Sequence, residues 1–426
     1  MSTLDGTKLH IKPLDNGAAS EDTAPQIPVE RDLRPACFDD FQCLATECRL
    51  SCCKGWSITF DKKDYLSLKR EKGSAELNAR LESGMRRIKK GPMVGTHYGE
   101  FVMDHIACPL LREDGLCMLQ AENGHGALPF VCRSFPRMES YQPSGYFERS
   151  LTPACEGVLA LLWDLPEGIE FRSDPLPREK CLTVVPKKWL AASFQDIRSQ
   201  CIDFLQDRRF TLPQRILLMG LALKELTEEE ADVDRWLAKA QVLPELPGIT
   251  GYLQEAEPCQ ALPLFLSNCI RVLLGMPGNG DFQTIQDELF RGLGIRVQEG
   301  TTLATVPTAP YLAARERYGE RFAGREYFME NLMVALFFEL KMPTLTVADD
   351  LWKSYVNFCN LYSIYRFMAV MSCREGAEGD RGELFRLLVY ASRNLIHDST
   401  SQTALRDNFF QNDSATLAHM SVLLSG

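Results

Sequence analysis

The segment at residues 41–56, FQCLATECRLSCCKGW, decides how the first third of the chain is organised, because it concentrates four cysteines in one short stretch. Further cysteines follow in CPLLREDGLC (108–117), FVCRSFPR (130–137) and SLTPACEG (150–157). Nine of the 15 cysteines in the 426 residues lie between Cys37 and Cys155. Eight of these nine fall in the quoted segments and form the candidate ligand set: Cys43, Cys48, Cys52, Cys53, Cys108, Cys117, Cys132 and Cys155.

Clustered cysteines in a chain that stays in a reducing compartment are more often metal ligands or catalytic thiols than disulfide partners. No CxxC pair occurs, which disfavours a structural zinc site without excluding it. All-thiolate ligation at irregular spacing is typical of a [4Fe–4S] cluster, which takes four thiolates. The sequence does not select four of the eight candidates, and a site larger than one cluster stays open.

The alternative for any cysteine is a buried thiol that behaves as a small apolar residue. This is the prediction for five cysteines that stand alone in the last 245 residues: Cys201, Cys259, Cys269, Cys359 and Cys373. For the eight clustered cysteines, their density and spacing favour the metal site. Cys155 also precedes an apolar helical segment, EGVLALLW, where the helix dipole favours the thiolate.

Composition and charge exclude several classes of protein. A chain with 45% hydrophobic and 24% charged residues is globular, and no apolar run reaches the about 18 residues that span a bilayer. The first residues, MSTLDGTKLHIKPLDNG, lack the basic start and apolar stretch of a secretory signal, so we expect a cytoplasmic protein. A net charge of −10 argues against nucleic acid as a partner, and we expect no membrane partner either.

Local patterns predict the elements around the cysteines. Residues 1–33 show no periodicity and read as a disordered tail. GWSITF (55–60) is typical of a short strand, with Asp61 capping a helix that Gly73 ends. The segment 98–120 predicts a hairpin that turns at Asp114 and Gly115, and the proline-containing segment 176–188 predicts a linker.

Helical periodicity dominates the remainder of the chain. Apolar residues recur at helical spacing in WLAASFQDIRSQCIDFL (189–205), and similar patterns follow at 213–226, 325–341, 351–371, 382–397 and 414–424. Several of these segments are apolar on nearly every face, which places them inside a bundle. The predicted fold class is mainly α, with a small cysteine-rich α+β metal-binding module at 34–180 fused to a helical domain at 181–426.

The cysteine motifs resemble those of the flagellin lysine-N-methylases. The resemblance is carried by CRLSCCKGWSITFDKKDYLSLK (48–69), CPLLREDGLCMLQ (108–120), CRSFPR (132–137) and FERSLTPACEGVLALL (147–162). In the helical half, FMENLMVALFFELKMP (328–343) and LLVYASRNLIHDS (387–399) are similar to further motifs of that family. Ala154 stands where the family pattern has Ser. The CC and CRxFP elements also resemble a broader cysteine-rich family that chelates iron or zinc.

The resemblance implies transfer of a methyl group from S-adenosylmethionine to surface lysines of flagellin, with a [4Fe–4S] cluster taking part. The usual signatures for this cofactor are missing, since there is no CxxxCxxC motif. The glycines of LLGMPGNGD (273–281) lie outside the strand–turn–helix context of a nucleotide-binding turn and predict a plain loop. A non-enzymatic iron- or zinc-binding scaffold is the alternative function.

Motif match alone suggests polar candidates for catalysis, each with a structural alternative. Arg133 and Arg137 are placed to fix the cluster loop or to bind a carboxylate, and surface arginines are equally expected. Glu330 and Asn331 begin an apolar helix, where a helix-surface role is favoured. Arg393 and His397 lie four residues apart on one helical face, and a structural role is favoured for the histidine.

Overall fold

The computed structural model divides the chain into two compact units. It describes residues 31–89, 97–104, 106–142, 146–175, 188–226, 232–253, 258–275, 280–295, 306–343, 351–396 and 415–426. The smaller unit contains Ser51–Phe135 with Ala45–Glu47, and the larger unit contains the remaining described residues. The division between the two units therefore falls after Phe135, whereas the sequence predicts a domain boundary at residue 180.

A three-stranded antiparallel sheet and four short helices build the smaller unit. The central strand β4 pairs with β2 on one side and with β3 on the other. A compact apolar core that includes Phe60, Leu77, Phe101 and Leu119 lies beneath the sheet and helices. The elements are β2 (Thr59–Phe60), α1 (Lys62–Leu68), α2 (Ala75–Gly84), β3 (Met85–Arg87), β4 (Gly99–Phe101), α3 (Met118–Asn123) and α4 (Phe130–Ser134).

Two local predictions in this unit need correction, and two are confirmed. Asp61 caps α1 as predicted, because its carboxylate accepts a hydrogen bond from the Asp64 amide, but α1 ends at Leu68 rather than at Gly73. Gly115 adopts a positive φ of 81° in the predicted turn. The long hairpin arms are wrong: β4 ends at Phe101, and α3 begins directly after the turn, at Met118.

The larger unit begins with a four-stranded sheet of order β5-β6-β1-β7. Strand β1 runs parallel to β6 and antiparallel to β7, and β5 and β6 form an antiparallel pair. Its strands are β1 (Arg31–Pro35), β5 (Arg137–Gln142), β6 (Tyr146–Leu151) and β7 (Phe171–Pro175). Residues 31–33, which the sequence analysis assigned to the tail, therefore belong to a strand. Residues 1–30 lie outside the described residues.

Helices make up the rest of the larger unit, so the mainly α fold class is confirmed. All six helical segments predicted from periodicity coincide with observed helices. The helices are α5 (Glu156–Trp163), α6 (Lys188–Gln206), α7 (Leu212–Glu225), α8 (Val233–Val242), α9 (Ile249–Tyr252), α10 (Pro258–Gly275), α11 (Gly280–Gly292), α12 (Thr308–Arg321), α13 (Glu326–Glu339), α14 (Leu351–Met371), α15 (Arg381–Leu395) and α16 (Leu417–Leu424).

Helices α13 and α14 form the centre of the larger unit. Every residue of α13 from Phe328 to Glu339 is buried, and α14 is buried along nearly its whole length. The aromatic rings of Phe337 and Phe358 meet edge to face between the two helices, with centroids 5.2 Å apart. No helix within the described ranges is both long enough and apolar enough to cross a bilayer.

A buried ion pair joins the sheet to α6. Arg198 and Glu148 are 1% and 2% exposed, and the guanidinium donates to both carboxylate oxygens. The rings of Phe194 and Phe338 lie against the Arg198 guanidinium, with centroids 4.7 Å and 4.6 Å away. Removing one partner of a buried pair leaves an uncompensated charge, so the pair fixes the position of α6 against β6.

The last residue of α13, Glu339, carries a strongly shifted carboxyl group. Burial raises the pKa of Glu339 to about 7, although the Thr152 hydroxyl and Lys341 act in the opposite direction. Burial also lowers the pKa of Lys341. The folded protein therefore binds a proton at Glu339 more tightly than the unfolded chain does, and its stability should fall as the pH rises from about 4.5 through about 7.

We predict that Glu339→Gln raises the free energy of unfolding above about pH 8 and changes it little near pH 4, because glutamine cannot ionise. The shift of Glu339 from 4.5 to about 7 corresponds to about 3 kcal/mol. Urea denaturation across this pH range measures the effect. Glu316→Gln, at an exposed position of α12, is the matched control. Parallel pH profiles for wild type and Glu339→Gln would contradict the assignment.

Candidate metal centre

Five of the eight candidate cysteines lie in the smaller unit, on three segments, of which backbone hydrogen bonds join the first two. The turn at Ser51–Lys54 presents Cys52 and Cys53, and the Cys53 amide is held by the Ser51 hydroxyl at 3.2 Å. The Cys108 amide donates to the Cys53 carbonyl at 2.8 Å. This bond places the thiol-bearing turn directly beside the segment that carries Cys108.

Cys117 and Cys132 enter the same region from helix ends. Cys117 is the N-cap residue of α3, and Leu111 pairs with it across the turn that contains Gly115. Cys132 lies in α4, whose first amide, that of Phe130, donates to the Asp64 carboxylate at 2.8 Å. Both helices are short, so their positions depend on these capping contacts rather than on length.

Neighbouring thiols contribute to the pKa shifts of Cys53, Cys108, Cys117 and Cys132. A hydrogen bond from Cys52 raises the pKa of Cys53 most, followed by burial and then by the charges of Cys52, Cys108 and Cys117. Burial raises the pKa of Cys108 to about 12, with Cys117 and Cys52 adding to the shift. Burial also raises the pKa of Cys117.

Cys132 completes this thiol group. Burial raises its pKa, and Cys108, Cys52, Cys117 and Asp64 raise it further. A cation supplied from outside would relieve the mutual repulsion of the thiolates, and soft metals prefer thiolate ligands. The donor set is therefore chemically suited to a thiolate-ligated iron–sulfur cluster. Within the described part of the chain, no three His, Cys, Asp or Glu side chains converge on one ion position.

The other three candidate ligands lie in the larger unit, around Glu156. This carboxylate, in the first turn of α5, accepts hydrogen bonds from the amides of Arg49 at 2.7 Å and Leu50 at 3.0 Å, and the Cys48 sulfur lies 3.6 Å away. Burial raises the pKa of Cys48 to about 12, and Glu156 and Cys155 contribute to the shift. Cys155 is the N-cap residue of α5, as predicted, and Cys43 is exposed.

The isolated cysteines are buried as predicted where they are described. Cys201, Cys269, Cys359 and Cys373 are all at most 5% exposed in the apolar core of the larger unit. The side chain of Cys259 lies outside the described residues. Cys37, the ninth cysteine of the N-terminal region, is also buried, and burial raises its pKa to about 11.

The candidate catalytic arginines hold backbone segments in place. The Arg133 guanidinium donates to the Leu128 carbonyl at 3.3 Å within the smaller unit. In the larger unit, Arg137 donates to the Phe41 carbonyl at 3.3 Å. Arg393 donates to the Ala154 carbonyl at 3.2 Å and to the Leu50 carbonyl at 2.7 Å. Arg393 thus fixes the backbone on both sides of the Cys48 and Cys155 pair.

The helix-surface role predicted for Glu330 and Asn331 is wrong, because α13 already begins at Glu326 and both side chains are buried and bonded within the larger unit. Glu330 is 3% exposed and forms ion pairs with Arg215 at 2.6 Å and with Arg208 at 2.9 Å. The Asn331 amide donates to the carbonyls of Leu162 at 3.0 Å and Leu165 at 2.8 Å, which closes the end of α5. His397, the remaining candidate, lies outside the described residues.

Sequence reasoning missed Glu156, which anchors the Cys48 segment. The available signal was an acidic residue in the first turn of a helix, directly after Cys155, where the helix dipole favours a carboxylate. The ion pairs of Glu330 were also missed. Arg208 and Arg215 are more than 100 residues away in sequence, at separations of 122 and 115 residues, and no local pattern links them.

We predict that Glu330→Gln lowers the free energy of unfolding by about 3–5 kcal/mol, because it leaves two arginines without their buried counter-charge. Thermal and urea unfolding measure the loss. Glu326→Gln, at an exposed position in the first turn of the same helix, is the control and should have little effect. A variant Glu330→Gln that keeps wild-type stability but loses activity would point instead to a chemical role.

A mainly helical protein with a separate thiol-rich unit is the class that these features define. The model of the FliB lysine N-methylase C-terminal domain matches residues 198–423, which is more than half of the chain. The chain therefore belongs to the FliB lysine N-methylase family. The matched region covers α7 to α16, including the helix that carries Glu330 and Asn331.

Individual relatives support the same family. The flagellar biosynthetic protein FliU of Salmonella muenchen is 33% identical over 140 residues, which are 32% of this chain and 78% of FliU. A lysine-N-methylase of Salmonella choleraesuis is 33% identical over 140 residues, and a lysine-N-methylase of Salmonella typhimurium shows the same identity. In both methylases the aligned part is 33% of their own length. No solved structure matches this chain.

Proposed function

We propose that this chain is a cytoplasmic protein-lysine N-methyltransferase that transfers methyl groups from S-adenosylmethionine to surface lysines of flagellin. The observation that carries the proposal is the family match over residues 198–423. The names of the relatives, a flagellar biosynthetic protein and two lysine-N-methylases, favour a flagellar protein substrate. The charge of −10 is compatible with a cationic, lysine-bearing surface.

The transfer requires a neutral lysine amine in line with the sulfonium methyl group. The lysine ammonium first loses a proton, and the nitrogen lone pair then forms the new N–C bond. The electron pair of the breaking C–S bond stays on sulfur, which leaves S-adenosylhomocysteine as the second product. Because only the deprotonated amine reacts, we expect the rate to rise with pH toward the lysine pKa of about 10.4, unless desolvation lowers that pKa.

We further propose that a [4Fe–4S] cluster is bound by four of the five thiols of the smaller unit, Cys52, Cys53, Cys108, Cys117 and Cys132. Their mutual influence on pKa and their all-sulfur donor set support this choice. When bound, the cluster would supply positive charge that stabilises the thiolates, and with it folding free energy for the unit. Cys43, Cys48 and Cys155 are assigned to the larger unit and are not proposed as ligands.

We predict that Cys117→Ser lowers the iron and sulfide content of anaerobically purified protein by at least about half, because one lost ligand releases the cluster. Cys155→Ser and Cys359→Ser are the controls and should keep the wild-type content. Cys359→Ser should cost only roughly 1–3 kcal/mol through burial of a hydroxyl. If Cys155→Ser loses as much iron as Cys117→Ser, the proposed ligand set is wrong. Stoichiometric zinc without iron would exclude the cluster.

We predict that the purified holoprotein with S-adenosylmethionine adds methyl groups to lysines of flagellin. Intact-mass analysis and peptide mapping measure the number and position of the added groups. Heat-denatured holoprotein and S-adenosylhomocysteine in place of the cofactor are the controls. Flagellin that stays unmodified by holoprotein with full iron content, together with methyl-lysine in cells lacking the protein, would favour a metal-binding scaffold.

A further inference from the structure

A cavity of about 600 Å³ lies in the larger unit between the end of α12 and the loop 372–380, which connects α14 to α15. It opens to solvent, and its lining combines arginines from α12 with acidic residues from the loop. Its volume is within the about 300–1,000 Å³ that is typical of small-molecule sites. All residues that line it are described and belong to one unit.

Arg374 holds the loop in place, and its charge is neutralised by ion pairs rather than offered to a ligand. It is 8% exposed and forms ion pairs with Glu288 at 2.8 Å and with Glu383 at 2.6 Å. The loop above it turns at Gly376, whose φ of 78° favours glycine, and the Ala377 amide donates to the Arg374 carbonyl. The loop therefore has a defined shape, which the ion-paired Arg374 side chain holds in place.

Two other arginines present charge to the cavity. Arg317 and Arg321 are exposed and four residues apart, so they project from the same face of α12. The Arg317 Nε donates to the Cys373 carbonyl at 2.7 Å, which fixes that side chain at the cavity wall. Both guanidiniums lower the pKa of the Cys373 thiol, although burial raises it more. In the described part of the chain neither arginine forms an ion pair.

Negative charge faces these arginines from the loop. Glu375 and Glu378 are exposed and line the same cavity, and α12 itself adds a third exposed carboxylate, that of Glu320, beside Arg321. A simple anion such as phosphate would be attracted by the arginines and repelled by these carboxylates. A ligand that carries a carboxylate and a cationic group close together satisfies both sets of charges. An α-amino acid group has this chemistry.

We propose that this cavity binds the amino-acid end of S-adenosylmethionine, with the α-carboxylate on Arg317 and Arg321 and the cationic groups toward Glu375 and Glu378. The assignment rests on the proposed methyltransferase function and adds to it the place of the cofactor. Bidentate pairing of a guanidinium with a carboxylate gives geometric specificity as well as affinity. The opposing glutamates give the ligand one orientation.

Isothermal titration of the full-length holoprotein with S-adenosylhomocysteine tests the proposal. Arg321→Gln is expected to weaken binding by about tenfold, and the Arg317→Gln, Arg321→Gln double variant by more, since each removes a charged hydrogen bond. Arg291→Gln is the matched control, because Arg291 is an exposed arginine in the last turn of α11, as Arg321 is in α12. It should bind as the wild type does.

Titration with a second ligand distinguishes loss of the amino-acid contacts from damage to the fold. Methylthioadenosine lacks both the carboxylate and the ammonium group, so its binding should be the same in the wild type and the arginine variants. Hydrogen exchange should slow in peptides covering 317–321 and 372–380 when S-adenosylhomocysteine binds. Arginine variants with wild-type affinity, equal losses for both ligands, competition by inorganic phosphate, or protection confined to other segments would each overturn the assignment.

The outcome for the cavity is separable from the outcome for the overall function. A wild type that binds S-adenosylhomocysteine through these arginines but leaves flagellin unmodified supports the cavity and overturns flagellin as the substrate. A wild type that methylates flagellin while the arginine variants bind the cofactor normally overturns the cavity alone. A wild type that does not bind S-adenosylhomocysteine overturns the assignment of the cavity.

Discussion

The constraint on which the smaller unit depends is the grouping of five thiols in one small unit, of which Cys108 is buried, Cys53, Cys117 and Cys132 are half-buried and Cys52 is exposed. A hydrogen bond from Cys52 raises the pKa of Cys53 most, whereas burial is the largest influence on Cys108 and Cys132 and raises the pKa of both. A backbone hydrogen bond at Leu110 lowers the pKa of Cys108, but the net shift of all three thiols is upward and opposes ionisation. The unit has only a small core and very short helices. The proposed cluster would add folding free energy that such a small core supplies poorly.

The larger unit is organised by a different constraint, the complete burial of α13. Its two acidic residues in the buried stretch have opposite environments. Glu330 meets two arginines, whereas burial without equivalent pairing raises the pKa of Glu339 to about 7. Asn331, between them, closes the end of α5 through two carbonyls. Glu330 and Asn331, one turn inside this helix, therefore contribute to the assembly of the unit.

Periodicity predicted the helices well because it depends only on local side-chain spacing. The segment 189–205 and the other five amphipathic or apolar segments required no knowledge of partners. The hairpin at 98–120 failed because turn chemistry at Gly115 fixes a turn but not the length of its arms. Strand β1 was missed because its first residues, at the end of the predicted tail, pair with β6 and β7, which lie more than 100 residues away in sequence.

The candidate metal site was predicted as a set of eight cysteines, and sequence could not show how the fold distributes them. Spacing grouped Cys48 with Cys52, yet the chain passes from one compact unit to the other between them. Cys155, the candidate farthest from Cys48 in sequence, is the thiol that contributes to the raised pKa of Cys48. Spacing along the chain therefore did not show that Cys48 and Cys52, with three residues between them, are assigned to different units.

The cavity at the end of α12 illustrates how binding and stability are separated in the larger unit. Arg374 is buried and paired with two carboxylates, so it anchors the loop, whereas Arg317 and Arg321 are exposed. Exposed charges contribute little to stability, typically under about 1 kcal/mol each. Arg321 can therefore be replaced without loss of the fold, while Arg374 cannot. The charges that face the cavity are those whose removal should alter ligand binding and leave the helical core intact.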